Sequence, residues 1–179
     1  MASAAFVGRM VALVRRLDPS RPVDSASGGR DLCTPPIPAQ SCGRFGNFTD
    51  IHGYPQPSAP TAANARTARV NGEYGGVMLQ PSHLEPPHAE WLPGACSGQA
   101  KANSSAELAA TFVGFSKAIA RLRDEKGLSA SVYTQLTDVE TECNGLLTYD
   151  RVWKLDAAGV RAVSAANDAL NRRQLIGAR

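Results

Sequence analysis

Residues 68–79 read A-R-V-N-G-E-Y-G-G-V-M-L. One carboxylate, Glu73, stands between a strand-like run and a pair of glycines, with Gly72 before it and Gly75 and Gly76 close behind. The plain reading is a strand over 68–74 that ends in a turn, with Glu73 as an exposed turn residue. Glycine adds a second reading. It lets the backbone turn sharply and keeps side-chain bulk away from whatever the carboxylate faces. The segments on either side decide between the two.

Before this strand, the periodic run Phe6, Met10, Leu13 and Leu17, flanked by Val7, Val11 and Val14, predicts a helix over 3–17. Asp18-Pro19-Ser20 stops it, because the residue before a proline avoids the helical region. Short strands are expected over 21–27 (R-P-V-D-S-A-S) and 48–54 (F-T-D-I-H-G-Y), the second closed by Pro55, Pro57 and Pro60. After residue 77 a long loop is expected to reach about 104, with His83, His88, Trp91 and Cys96 in it. Loops of that length inside a compact domain are more often functional than idle.

Ser104 or Ser105 followed by Glu107 resembles a helix start, and Leu108, Phe112, Phe115, Ile119 and Leu122 carry that helix to Lys126, where Gly127 ends it. A fourth strand is expected over 129–135 and a last helix over 156–173. Alternating helices and short apolar strands point to parallel βα units, in which chemistry collects beyond the carboxyl ends of the strands. Polar groups fall at four such ends: Asp24 with Ser27, His52 with Tyr54, Asn71 with Glu73, and Gln135 with Thr137 and Asp138.

Composition narrows the partners. A chain of 179 residues, 43% hydrophobic and 20% charged, is expected to form one globular domain. Its formal charge of +3, from 19 basic and 16 acidic residues with scattered arginines, gives no footprint for nucleic acid. No run is long and apolar enough to span a bilayer, so no membrane partner is expected. The opening residues lack a secretory layout, since their arginines interrupt and follow the apolar residues. Cysteines at 33, 42, 96 and 143 form no C-x-x-C pair, which favours four separate thiols, with a 33–42 bridge as the alternative in an oxidising compartment. His83, His88 and Cys96 fix no common helix face, so neither a metal nor a cofactor is expected.

Four stretches taken together, R-R-L-D-P-S-R-P-V-D-S-A-S-G (15–28), D-I-H-G-Y-P (50–55), N-G-E-Y-G-G (71–76) and V-Y-T-Q-L-T-D-V-E-T-E-C-N-G-L-L-T-Y-D-R (132–151), resemble the catalytic domain of glycoside hydrolase family 2. That family includes β-galactosidases and β-glucuronidases. The resemblance implies a partial (β/α)8 barrel, approximately strands five to eight with their helices, filling the whole chain as one domain. It also implies a carbohydrate substrate and a retaining mechanism, with Glu73 as nucleophile and Tyr54 beside it. His52, Asn71, Trp91, Gln135, Thr137, Asp138, Glu140 and Asn144 are the implied substrate-binding residues.

The retaining mechanism needs a second carboxyl group about 5–5.5 Å from the nucleophile. In the family that acid follows an asparagine on strand four, and no Asn-Glu pair occurs in this sequence. The expectation is therefore a half-barrel carrying the nucleophile without its acid strand. Its open sheet edges would favour self-association or pairing with an N-terminal half. The alternative is a non-catalytic carbohydrate-binding remnant, with Trp91 or Tyr133 as a stacking surface.

Overall fold

The computed structural model describes residues 4–28, 45–61, 66–80 and 95–172. Helix α1 spans Ala4–Leu17, strand β1 Phe48–Gly53, β2 Ala68–Gly75, β3 Val77–Leu79 and β4 Ala100–Ala102. Helix α2 follows over Ser105–Lys126, then β5 over Leu128–Thr134 and helix α3 over Ala157–Arg172. The described residues divide into two units. The first draws on residues up to Gly53, on 58–74 and on 122–132, and the second on 54–57, 75–121 and residues from 133 onward.

The first unit is built on a sheet of order β1-β2-β5, in which β1 and β2 run parallel. Val70, Tyr74 and Leu128 are buried on these strands, and Val11 is the buried position of α1. Burial raises the Tyr74 phenol above its usual range, and a hydrogen bond with Ser131 of β5 partly offsets that. Helix α1 is anchored at its C-terminal end by Arg15, whose Nη2 donates to Asn47 Oδ1 at 3.2 Å. Gly8 leaves room for the Phe45 ring, which would sit 3.1 Å from an added Cβ. Its periodic stripe does not enter the core, since Phe6, Met10, Val14 and Leu17 are exposed.

The second unit holds the parallel pair β3–β4, most of α2, helix α3 and a long irregular segment over 135–155. Helix α2 buries Leu108, Phe112, Phe115 and Ile119, the spacing of one helical face. Its start is capped by Ser104 Oγ, which accepts from Glu107 N–H at 3.1 Å, while the Glu107 carboxylate accepts from Asn103 N–H at 2.7 Å. Gly127, at φ +66°, ends it in the left-handed region. Asp156 caps α3 in the same way, accepting from Gly159 N–H at 2.7 Å. Phe112 meets Tyr133 edge to face, with centroids 4.8 Å apart.

The irregular segment is held by specific bonds rather than by a sheet. Buried Lys154 donates through Nζ to Asp138 Oδ1 at 2.6 Å and to the Cys143 carbonyl at 2.9 Å. Burial lowers the Lys154 pKa, and the Asp138 charge opposes that shift. Gly145 N–H donates to the same Asp138 oxygen at 2.9 Å, and a Cβ at Gly145 would run into the 137–138 backbone.

The chain is a small α/β structure with three helices and two small parallel sheets among the described residues, not strands five to eight of a (β/α)8 barrel. The expected strand over 21–27 does not pair into a sheet. Pro22 has no N–H to give; Val23 instead exchanges bonds with Asn47, donating to its Oδ1 at 2.9 Å and accepting from its N–H at 2.8 Å. Asp24 then folds the chain into an Asx turn by accepting from Ala26 N–H at 3.1 Å. The βα repeat also fails between β1 and β2, where the described residues form no helix and three prolines withhold donors.

The expected loop from 77 to 104 is not irregular throughout. Its two ends are the strands β3 and β4, paired in parallel. Gly75 and Gly76, at φ +101° and +65°, turn the chain where β2 ends, so β3 leaves the first sheet for a pairing of its own. Cys96 and Cys143, expected as thiols, form a disulfide with Cα atoms 5.2 Å apart. Cys33, Cys42, His83, His88 and Trp91 lie outside the described residues.

The Cys96–Cys143 bridge closes a loop of 47 residues. Loop-closure entropy for that length gives about 4 kcal/mol of stability. The paired variant Cys96→Ser/Cys143→Ser is expected to lose about 2–4 kcal/mol in urea unfolding. Reductant should lower the midpoint of the parent chain and leave that of the variant unmoved.

Candidate functional site

The site forms at the ends of β1 and β2 in the first unit. The register runs Asp50↔Val70 and Ile51↔Asn71, then shifts to His52↔Glu73, leaving Gly72 as an extra residue in β2. Such a bulge redirects the side chains that follow it. Here it sets Glu73 directly across from His52.

Two buried polar side chains hold the bulge. Asp50, with 1% of its side chain exposed, accepts Gly72 N–H on Oδ1 at 2.6 Å and Gly28 N–H on Oδ2 at 2.9 Å. A Cβ at position 72 would land on that carboxylate, so only glycine leaves Asp50 in its seat. Fully buried Asn71 donates through Nδ2 to the carbonyls of Ile51 and Glu73, both at 2.9 Å, and accepts Ser58 N–H at 3.1 Å. Its amide thus serves main-chain groups that the bulge takes out of the ladder.

On this base sits a polar chain open to solvent. His52 Nδ1 lies 3.1 Å from Glu73 Oε2, and His52 Nε2 lies 3.0 Å from Ser27 Oγ. Asp50 Oδ2 is 3.6 Å from Nε2, beyond hydrogen-bond reach. The neighbours therefore assign the tautomer. A proton on Nδ1 donates to the Glu73 carboxylate and leaves a lone pair on Nε2 for the Ser27 hydroxyl, whereas a bare Nδ1 would face a carboxylate oxygen. Gly28, at φ +73°, makes room for the ring, which lies 3.2 Å from the place its Cβ would take.

Asp24 completes the cluster. Burial raises its pKa above the usual aspartate value of 3.8; the bond from Ala26 N–H works the other way, and the charge of Asp50 and a hydrogen bond with it raise it further. The arrangement can position an exposed carboxylate and accept a proton at Nε2.

Of the residues expected from sequence, His52 and Glu73 meet, with Ser27 and Asp24 beside them. Asn71 is committed to the backbone. Tyr54 belongs to the second unit, where its ring lies 3.2 Å from a Cβ placed on Gly76. Gln135 Nε2 donates to Asn144 Oδ1 at 2.7 Å, so these two amides satisfy each other. Asp138 is taken up by Lys154, Thr137 bridges to Leu147, and exposed Glu140 sits at a turn with φ +49°. Tyr133 lines an apolar cavity of about 410 Å³ with Phe112, Leu136, Trp153 and Val160.

Asp50 was open to discovery in the sequence. In F-T-D-I-H-G it shares a strand face with His52, and aspartate disfavours strand interiors unless something there needs it. Among the described residues no three of His, Cys, Asp or Glu are arranged to hold a metal ion, and no helix is long and apolar enough to cross a membrane. Compared with known proteins, the chain matches no family model and no curated relative.

Gly72→Ala should drive the Asp50 carboxylate off its seat. A stability loss of about 1–3 kcal/mol in urea unfolding is expected, in the range of overpacked cores. Asp24→Asn tests the charge of the cluster. Because the folded-state pKa of Asp24 is raised, its contribution is fully present below 3.8 and declines as pH rises through the folded value. The variant should therefore gain stability relative to the parent at pH 7 and lose that advantage below pH 3.8.

Proposed function

We propose that this chain acts on glycosidic bonds, with Glu73 as the nucleophile of a retaining hydrolase. The observation that carries this reading is the His52–Glu73 pair at adjacent parallel strand ends. Its carboxylate is 42% exposed and aimed by an imidazole 3.1 Å away. The motifs N-G-E-Y-G-G and D-I-H-G-Y-P, which resemble glycoside hydrolase family 2, supply these residues.

In the proposed reaction one Glu73 oxygen attacks the anomeric carbon and forms a glycosyl ester as the leaving oxygen departs. Water then displaces the sugar and restores the carboxylate. His52 donates from Nδ1 and fixes the orientation of the attacking group. With no Asn-Glu pair in the sequence, natural glycosides would depart without the family's acid. Substrates that bring their own good leaving group are the ones expected to react.

A second reading, a non-catalytic carbohydrate-binding protein, is favoured by the cavity lined by Tyr133 and Trp153, with Ser164 and Asn167 offering polar atoms. One experiment separates the two. A 2-deoxy-2-fluoro glycoside with a dinitrophenolate leaving group should add one sugar to the intact mass, at Glu73, and Glu73→Gln should abolish the adduct. Absence of any adduct, together with saturable sugar binding, would replace the hydrolase reading by the binding one.

A further inference from the structure

The same cluster contains a third group, Ser27, that the glycosidase reading does not use. Ser27 Oγ, His52 Nε2, His52 Nδ1 and Glu73 Oε2 form one continuous chain with links of 3.0 and 3.1 Å. Both distances lie within the reach of a nucleophile–base and a base–orienter hydrogen bond. We propose that Ser27, His52 and Glu73 are a serine acyl-transfer triad that hydrolyses activated carboxylic esters. Ser27 is the nucleophile, His52 the base, and Glu73 the positioning residue.

Three features favour this assignment. Ser27 is exposed, in a turn that continues through Gly28 in the left-handed region, so a planar ester can approach Oγ from solvent. The tautomer argued above is the one a general base needs, with Nδ1–H held by a carboxylate and Nε2 free to take the serine proton. Asp50 adds a third. Its carboxylate is too far from Nε2 to compete in the resting state, yet at 3.6 Å it stabilises the imidazolium once Nε2 is protonated.

Ser27 Oγ attacks the ester carbonyl carbon while its proton passes to Nε2. The carbon–alkoxy bond then breaks, and the alkoxide leaves with that proton. Water attacks the acyl-serine, giving a proton to Nε2. The Ser27 oxygen departs and recovers the proton, leaving a carboxylic acid and an alcohol. The amide next to the nucleophile, Gly28 N–H, is already given to Asp50, so it does not serve the developing oxyanion. Activated esters, such as acetyl esters of nitrophenols, are therefore the expected substrates rather than amides.

This proposal stands apart from the glycosidase reading, and the experiment keeps them apart. The full chain is incubated with p-nitrophenyl acetate and, separately, with a fluorophosphonate. Expected are saturable nitrophenolate release and a single phosphonyl adduct mapping to Ser27. Ser27→Ala should lose both while keeping any fluoroglycoside adduct at Glu73. His52→Gln should also lose both. Glu73→Gln should lower ester turnover by about 10⁴-fold, as loss of the orienting carboxylate does in known triads. Ester hydrolysis unchanged in Ser27→Ala, or a fluorophosphonate adduct at any other residue, would overturn the triad. So would the absence of reaction in a parent chain whose fold is confirmed by circular dichroism.

Discussion

The Asp50 carboxylate is the constraint on which the rest of the first unit depends. Burying a charge among strands is unfavourable unless hydrogen bonds replace the lost water. Asp50 obtains them from two main-chain amides far apart in sequence, Gly28 and Gly72. The requirement works in both directions. The amides satisfy the carboxylate, and the carboxylate brings the Ser27–Gly28 turn and the β2 bulge to one place. Without it Gly72 has no seat, the register does not slip, and Glu73 does not come opposite His52. The reactive groups at the surface therefore inherit their spacing from an ion beneath them.

Elements whose signal is local were legible in the sequence. Helix α2 announces itself through apolar spacing, a Ser104–Glu107 cap and a terminal Gly127, and its observed bounds fall where these place them. Strands β1, β2 and β5 follow from short apolar runs between turn residues. Both His52 and Glu73 were placed at strand ends, but the residue expected beside Glu73 was Tyr54, and the bulge at Gly72 that brings His52 there has no local signal. What was not legible depended on partners distant in the chain. Nothing near Lys154 points to Asp138, and nothing near Cys96 points to Cys143.

The barrel expectation failed for a related reason. A motif describes what stands at the end of a strand and says little about what the strand pairs with. Pairing is decided by donors and acceptors along the whole segment, and Pro22, together with the Asn47 side chain, diverts residues 21–27 into a turn. The paired glycines after Tyr74 do the same to β3. Helix α1 is the converse case. Its periodicity correctly reports a helix, yet Phe6, Met10 and Val14 are exposed, so an apolar stripe is not by itself a statement of burial.

The Lys154–Asp138 pair bears on how this protein could be toughened. Exchanging a buried ion pair for hydrocarbon often leaves a protein as stable or more so. Here each ion also serves the main chain, Asp138 the amide of Gly145 and Lys154 the carbonyl of Cys143. A greasy replacement would orphan both, and an engineer would have to rebuild the neighbouring backbone before the swap could help.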